Sequence, residues 1–340
     1  MKGKGLEMSM KNLNDEPIIM YVRVTDQCNS GCFMCKYARG NGTFQIEMLK
    51  YDKLLDAMRK IGSFKMIRFT GGEPLLVTNL HLMIKKAKEQ GFLTSIITNG
   101  YLIPNNYKTL IDCGLDQIIF SLDGSSAEVH DKLRNFPNCF NNIISSIKLI
   151  KEYNKYLNIR VNTVASKYNI ADLCNLYDLL IKNGVDSWSI IPIRTSTDGW
   201  NDGYEEKYIK CYKDFIEYVE KNKSSLKFLG YSLEWGGRNN EEIHNLFYKN
   251  KFYGPIGKCK AVNLIRFYIP NQNEFVPCNC ASHRIGQMEI NIDNIKDLND
   301  RTKIMKCWLE ENGPTKCKAC EPLNAYISDN YKNIINMFEI

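Results

Sequence analysis

The stretch IIMYVRVTDQCNSGCFMC (residues 18–35) runs a β-rich apolar segment directly into three cysteines, Cys28, Cys32 and Cys35. A near-continuous apolar run rich in Val, Ile and Tyr predicts a strand covered on both faces, as in a parallel sheet. Five more such runs follow: KMIRFT (65–70), LTSIIT (93–98), QIIFSL (117–122), IRVNTV (159–164) and WSIIPI (188–193). Between them lie stretches with helical periodicity, among them YDKLLDAMRKIG, LHLMIKKAKEQG, NNIISSIKLIKEYN and ADLCNLYDLLIKNG. Strands alternating with crossover helices predict an α/β fold with a parallel sheet.

A doubly wound sheet and a partial barrel both fit that rhythm, and the polar residues discriminate. Cys28 follows the first strand, TGGEP (70–74) closes the second, TNG (98–100) the third and SLDG (121–124) the fourth. Asn162 and Arg194 lie late in, or just after, the fifth and sixth. Special residues at the carboxyl ends of successive strands mark the working face of a barrel, whereas an open sheet gathers them at one switch point. The expected core is therefore a partial (β/α)6 TIM barrel over residues 17–194.

Composition bounds the rest. The chain has 340 residues, of which 44% are hydrophobic, enough for one large domain and a smaller one. Residues 1–16 read as a flexible polar arm with no apolar signal segment, and no run is long enough to span a membrane, so the expected location is cytoplasmic. Thirteen cysteines without an export signal point to metal or redox chemistry rather than disulfides. A net charge of +7 with no clustered basic run favours anionic partners in general and gives nucleic-acid binding little support. Residues 195–255 break the alternation and read as an insertion or linker, a candidate substrate cover, with helices expected at 205–222 and 240–250.

Three thiols are one fewer than a closed zinc site requires, and no nearby His or Cys supplies a fourth. A [4Fe–4S] cluster held by three thiolates leaves one iron open for a substrate or cofactor. Three buried core cysteines would be the bland alternative, at odds with their clustering in a loop.

CNSGCFMC has the C-x3-C-x2-C form that resembles the opening motif of the radical S-adenosylmethionine (SAM) superfamily. The resemblance covers residues 18–194 and implies that the open iron binds SAM. It also implies that Gly71, Gly72, Glu73 and Pro74 contact the SAM amino group, with Glu73 as an acceptor. Asn99, Ser121 and Asp123 correspond to groups for the ribose and methionine portions, Arg134 to a partner of the SAM carboxylate, and Asn162 and Lys167 to Asn169 to a further SAM-contacting region. The residue before the third cysteine is usually aromatic in the family and packs near adenine. Here it is Met34, beside Phe33.

A second cysteine set begins at Cys259 and Cys278, which bracket two β-like runs around the turn PNQNE, and continues with Cys317 and Cys320 in TKCKAC. Four thiolates make a complete site. The pattern resembles the Twitch domain, a shortened SPASM extension holding one auxiliary [4Fe–4S] cluster, and a structural zinc ribbon is the rival. This implies a small C-terminal β-hairpin/helix iron–sulfur domain at 256–322 and a closing helix within 323–340. Cys280 and Cys307 leave the ligand choice open, and either is also a candidate hydrogen donor. Cys113, Cys139, Cys174 and Cys211 read as packing residues.

The implied cofactors are two [4Fe–4S] clusters and SAM, with a flavodoxin- or ferredoxin-type reductant as partner. The architecture resembles aminocyclitol oxidases of the 2-deoxy-scyllo-inosamine dehydrogenase type. The expected activity is dehydrogenation of a sugar- or aminocyclitol-like small molecule, the auxiliary cluster accepting an electron. A peptide substrate that is oxidised, crosslinked or epimerised is the alternative, against which the short arm counts. A molybdopterin-type cyclase would want three auxiliary cysteines and a C-terminal glycine pair, and a non-catalytic zinc module would be colourless. Arg194, Glu234 and His283 are general-base candidates by placement only.

Overall fold

The computed structural model describes residues 19–35, 42–192, 205–228, 265–270 and 274–276. Its centre is six parallel strands in chain order: β1 (Ile19–Thr25), β2 (Met66–Gly71), β3 (Leu93–Thr98), β4 (Gln117–Ser121), β5 (Asn158–Ala165) and β6 (Ser187–Pro192). Helices α1 (Met48–Ile61), α2 (Leu80–Glu89), α3 (Ile103–Asp112), α4 (Ala127–Arg134), α5 (Cys139–Tyr153) and α6 (Leu173–Lys182) make the crossovers, and α7 (Glu205–Lys221) follows β6. A doubly wound sheet would reverse its strand order at a switch point. Here the order is sequential and the sheet stays open, as in a partial (β/α)6 barrel.

Two additions extend the sheet. The two-residue strand β7 (Lys227–Phe228) pairs with β6. At the other edge β8 (Ile265–Ile269) runs parallel to β1 and turns back as the antiparallel β9 (Glu274–Val276). The hairpin expected around PNQNE is therefore present, and its first strand continues the barrel wall. Lys50 Nζ donates to Pro270 O at 2.6 Å, fastening the start of α1 to the hairpin turn. Cys259, Cys278, Cys280, Cys307, Cys317 and Cys320, the helices expected at 240–250 and near the C-terminus, Arg194, Glu234 and His283 lie outside the described residues.

Side-chain alternation divides the sheet into two chemically different faces. Met20, Val22, Ile67, Phe69, Ile96, Ile118, Phe120, Ile159 and Val161 are fully buried against Leu54, Met83, Ile84, Ile143, Ile147 and Leu180 of the helices. The opposite face carries Tyr21, Arg68, Ser95 and Gln117 in one register row across β1 to β4. Arg68 is buried, and its guanidinium donates to Tyr21 Oη (2.6 Å), Ser95 Oγ (3.2 Å) and Gln117 Oε1 (2.9 Å). Gln117 Nε2 passes the chain on to Asn158 Oδ1 at 2.7 Å. A cation is thus held by neutral acceptors, a polar floor low in the barrel wall. Among the described residues no helix is long and apolar enough to cross a membrane.

Candidate functional site

The cysteine loop leaves the end of β1 and is stitched to the end of β2. Gly72 N donates to Thr25 O at 2.8 Å and Glu73 N to Gln27 O at 2.7 Å. This approach has no room for side chains: a Cβ on Gly72 would stand 2.0 Å from Gln27 O, and one on Gly71 (φ +143°) 2.2 Å from Thr25 O. Both positions demand glycine, the first for space and the second for space and backbone angle. Pro74 then opens a single 3-10 turn over Pro74–Leu76.

Glu73 is buried, and its carboxylate turns inward. Oε1 accepts from Leu75 N (3.1 Å) and Thr98 Oγ1 (2.8 Å), and Oε2 accepts from Asn99 N (2.8 Å). Burial pushes its pKa up to about 7 against these three bonds. Glu73 therefore clamps the β2 loop to the TNG turn after β3. Asn99 extends the tie: its Nδ2 donates to Asn29 Oδ1, in the cysteine loop, at 2.7 Å. Cys139, at the start of α5, is fully buried and its thiol donates to Asn99 O at 3.2 Å.

Within the loop, one hydroxyl stands between two thiols. Ser30 Oγ is 3.4 Å from Cys28 Sγ and 3.3 Å from Cys32 Sγ. Cys35 N donates to Cys32 O at 3.1 Å, so a tight turn carries the third cysteine. Burial raises the Cys28 pKa, and Ser30 partly offsets it. Met34 and Phe33 are half-buried against the core, and Phe33 meets Tyr168 edge-on with ring centroids 5.7 Å apart.

Asp123 and Arg134 meet behind the loop. Arg134 Nε lies 2.7 Å from Asp123 Oδ2, with side chains 12% and 0% exposed. Burial raises the Asp123 pKa and Arg134 opposes the rise. Asp123 Oδ1 accepts from Val164 N at 2.8 Å, and Asp123 N donates to Nδ1 of the buried His130 at 3.0 Å. Burial, then Arg134, drive the His130 pKa far down, so its imidazole is neutral. Arg134 Nη1 reaches Cys32 Sγ at 3.7 Å. Ser121 and Asn162 are neighbours in register on β4 and β5, and Asn162 Oδ1 accepts from Arg160 Nε at 2.9 Å. Asn169 ties Asp123 O to Val164 O through its amide (2.8 and 2.9 Å).

The strand ends thus bring Cys28, Cys32, Cys35, Gly71 to Pro74, Asn99, Asp123 and Arg134 into one bonded neighbourhood. Asn29, Ser30 and Gln27 belong to it as well and were not singled out from sequence. The only signal for them was their position between or beside the cysteines.

The donor set can be tested for the group it would hold. Among the described residues no three His, Cys, Asp or Glu side chains form a group that could hold a single metal ion. A [4Fe–4S] cluster takes each thiolate on a different iron and so uses spaced sulfurs on one loop. Three loop thiols with a cation beside them fit such a cluster. The sequence model of the Radical SAM superfamily matches residues 22–192, half of the chain and the whole of this arrangement. The chain belongs to the radical SAM superfamily. Membership brings with it SAM and a [4Fe–4S] cluster as cofactors.

More specific likenesses are distant. An AdoMet-dependent heme synthase of Oleidesulfovibrio alaskensis is 27% identical over 170 residues, covering 49% of this chain and 43% of that protein. The chain therefore spans less than half the length of that curated relative. SuiB of Streptococcus suis, solved bound to the precursor peptide SuiA, aligns over 89% of this chain and 69% of its own, with TM-score 0.66 and 16% identity. The protein anSMEcpe, solved with AdoMet and a Cp18Cys peptide, aligns over 94% of this chain and 98% of its own, with TM-score 0.59 and 16% identity. At these identities the two structures are likenesses of fold.

Proposed function

We propose that this radical SAM enzyme is an oxidoreductase that removes hydrogen from an unactivated C–H bond of a polar metabolite of the sugar or aminocyclitol type, with a second, auxiliary [4Fe–4S] cluster accepting an electron. The observation that supports it is the gathering of the three-thiol loop, the GGEP shelf and the Asp123–Arg134 pair at the carboxyl ends of neighbouring strands. Cys28, Cys32 and Cys35 would hold the SAM-binding cluster. When bound, that cluster and SAM supply a 5′-deoxyadenosyl radical by one-electron cleavage of the sulfonium.

The chain's own residues do the positioning. Gly71 and Gly72 let the cysteine loop seat directly on the end of β2, and Glu73 holds that backbone still through Thr98 and Asn99. Arg134 has five N–H donors; its contacts to Asp123 and Cys32 leave others to meet the SAM carboxylate. Ser121, Asn162 and Asn99 would face the ribose and methionine portions, and Met34 the adenine. Cys259, Cys278, Cys317 and Cys320 would form the auxiliary site of a Twitch domain. A flavodoxin- or ferredoxin-type protein would supply the electron.

A peptide-modifying maturase is the second reading. It is favoured by the fold likeness over 89% and 94% of the chain to two proteins solved with peptides.

Anaerobic incubation with dithionite and SAM tests the proposal. It should yield 5′-deoxyadenosine, and a deuterated substrate of the right class should pass deuterium into that product. Cys28→Ala, Cys32→Ala or Cys35→Ala should each abolish SAM cleavage, whereas Cys317→Ala should retain it. Deuterium passing from a labelled peptide and from no sugar or cyclitol would select the second reading. SAM cleavage that survives loss of the loop cysteines would sink both.

A further inference from the structure

We infer that Arg134, locked by Asp123, raises the reduction potential of the cluster held by Cys28, Cys32 and Cys35 through its contact with the Cys32 sulfur. The inference rests on the assignment of those three cysteines as cluster ligands.

The argument begins in the short helix α4, AEVHDKLR. Ser126 caps its start, accepting from Val129 N, and Asn135 ends it in the left-handed region (φ 46°, ψ 49°). His130 and Arg134 are four residues apart and share a face. His130 is fully buried on that face and carries Arg134 inward with it. The cysteine loop docks on the same helix end, Phe33 N donating to Leu133 O at 3.4 Å. Cys32 and the guanidinium are therefore brought together by a backbone bond and a buried side chain and not by a flexible surface contact.

Asp123 sets the direction. It is held by Val164 N, by His130 and, through its carbonyl, by Asn169, so it cannot follow Arg134 if the guanidinium swings. It takes Nε of the guanidinium and leaves Nη1 aimed at Cys32 Sγ, 3.7 Å away. The pair as a whole is neutral, but it is oriented. Its positive end faces the sulfur and its negative end faces the barrel wall. Cys32 also has the Ser30 hydroxyl at 3.3 Å.

Reduction of the cluster brings in one electron from an external reductant. No bond forms or breaks, no proton need move, and the added negative charge is shared with the ligating sulfurs. Hydrogen bonds to those sulfurs and local charge are among the levers that set the potential of an iron–sulfur cluster. A buried guanidinium pointing at one thiolate favours the reduced form. The effect needs no SAM, which separates it from any role of Arg134 in holding the SAM carboxylate.

The test is potentiometric titration of the anaerobically reconstituted full-length protein without SAM, followed by EPR of the reduced state. Wild type, Arg134→Gln and Arg134→Lys are compared at matched iron content. The Gln variant should titrate at a more negative potential than wild type. The Lys variant keeps the cation but loses the planar fork, so it should shift in the same direction by less. If Gln does not assemble a cluster, the Lys shift alone carries the comparison. Variants that hold the cluster at the wild-type potential, with only SAM affinity weakened, would overturn the inference and leave Arg134 as a SAM ligand. If the wild-type chain assembles no cluster on these cysteines, the ligand assignment falls and this inference with it.

Discussion

Replacing Gly72 with alanine adds one methyl group, and the site has no place for it. The new Cβ would stand 2.0 Å from Gln27 O, 2.5 Å from Gln27 C and 3.0 Å from Asp26 C, all backbone atoms that no rotamer can move. Non-bonded carbon contacts settle at about 3.5–4.0 Å, so the β1 and β2 loops must part by about 1.5 Å. The bonds Gly72 N to Thr25 O (2.8 Å) and Glu73 N to Gln27 O (2.7 Å) flank the intrusion. Stretched that far, neither remains a hydrogen bond. Leaving two largely buried pairs unmade costs about 1–3 kcal/mol each, so the expected destabilisation is about 2–6 kcal/mol. The same opening pulls the loop bearing Cys28 off the shelf, so iron incorporation should fall as well. Denaturant unfolding of the apo chain measures the first effect, and iron per chain after anaerobic reconstitution measures the second. Gly184→Ala is the matched comparison. Its Cβ meets nothing within 4 Å, but φ is +67°. It should cost about 1–2 kcal/mol from backbone strain and leave iron content alone. The reasoning is refuted if Gly72→Ala unfolds within about 1 kcal/mol of wild type and binds its full complement of iron.

Three further outcomes follow from the buried polar groups. Because burial lifts Glu73 from 4.5 to about 7, the folded chain holds its proton more tightly than the unfolded chain. Its contribution is complete below pH 4.5 and lost as pH rises toward 7, so relative to Glu73→Gln the wild type should lose about 2–3 kcal/mol between pH 5 and pH 8. A stability difference that stays constant across that range would rule this out. Asp123→Ala strands the buried Arg134 cation and should cost about 3–5 kcal/mol, read as a lowered denaturant midpoint at unchanged slope. Arg68→Met should be milder, about 1–2 kcal/mol, because Ser95 Oγ still donates to Gln117 Oε1 (2.9 Å) and Gln117 to Asn158, leaving few groups unpaired. Equal losses in the Asp123 and Arg68 variants would contradict the distinction drawn between a paired charge and a cation among neutral acceptors.

Particular residues show how far sequence reading reached. The run 93–98 is a strand with those bounds, and the other five core strands agree to within a residue at each end. Glu73 was legible as a special residue but its task was not. Its sequence reading is an acceptor for the SAM ammonium; the structure adds bonds from Thr98 and Asn99 that no local spacing announces. Arg68, Arg160 and Ser95 drew no attention, since a polar residue inside an apolar strand run looks like noise until the register row is known. Asn29 and Ser30 stand between cysteines, where spacing alone gives them no role.

Alternation of apolar runs with helical periods is written along the chain, because burial on a strand or a helix repeats every two or every 3.6 residues. That periodicity, with the polar strand ends, was enough to determine the partial barrel and to put the singled-out residues at the carboxyl ends of its strands. The meeting of Arg134 with Cys32, 102 residues apart, of Glu73 with Asn99, and of Tyr21 with Arg68 and Gln117 was decided only by tertiary structure. Such contacts depend on strand register and on how closely two loops approach. Those quantities are set by packing across the whole sheet, and no local stretch of sequence encodes them.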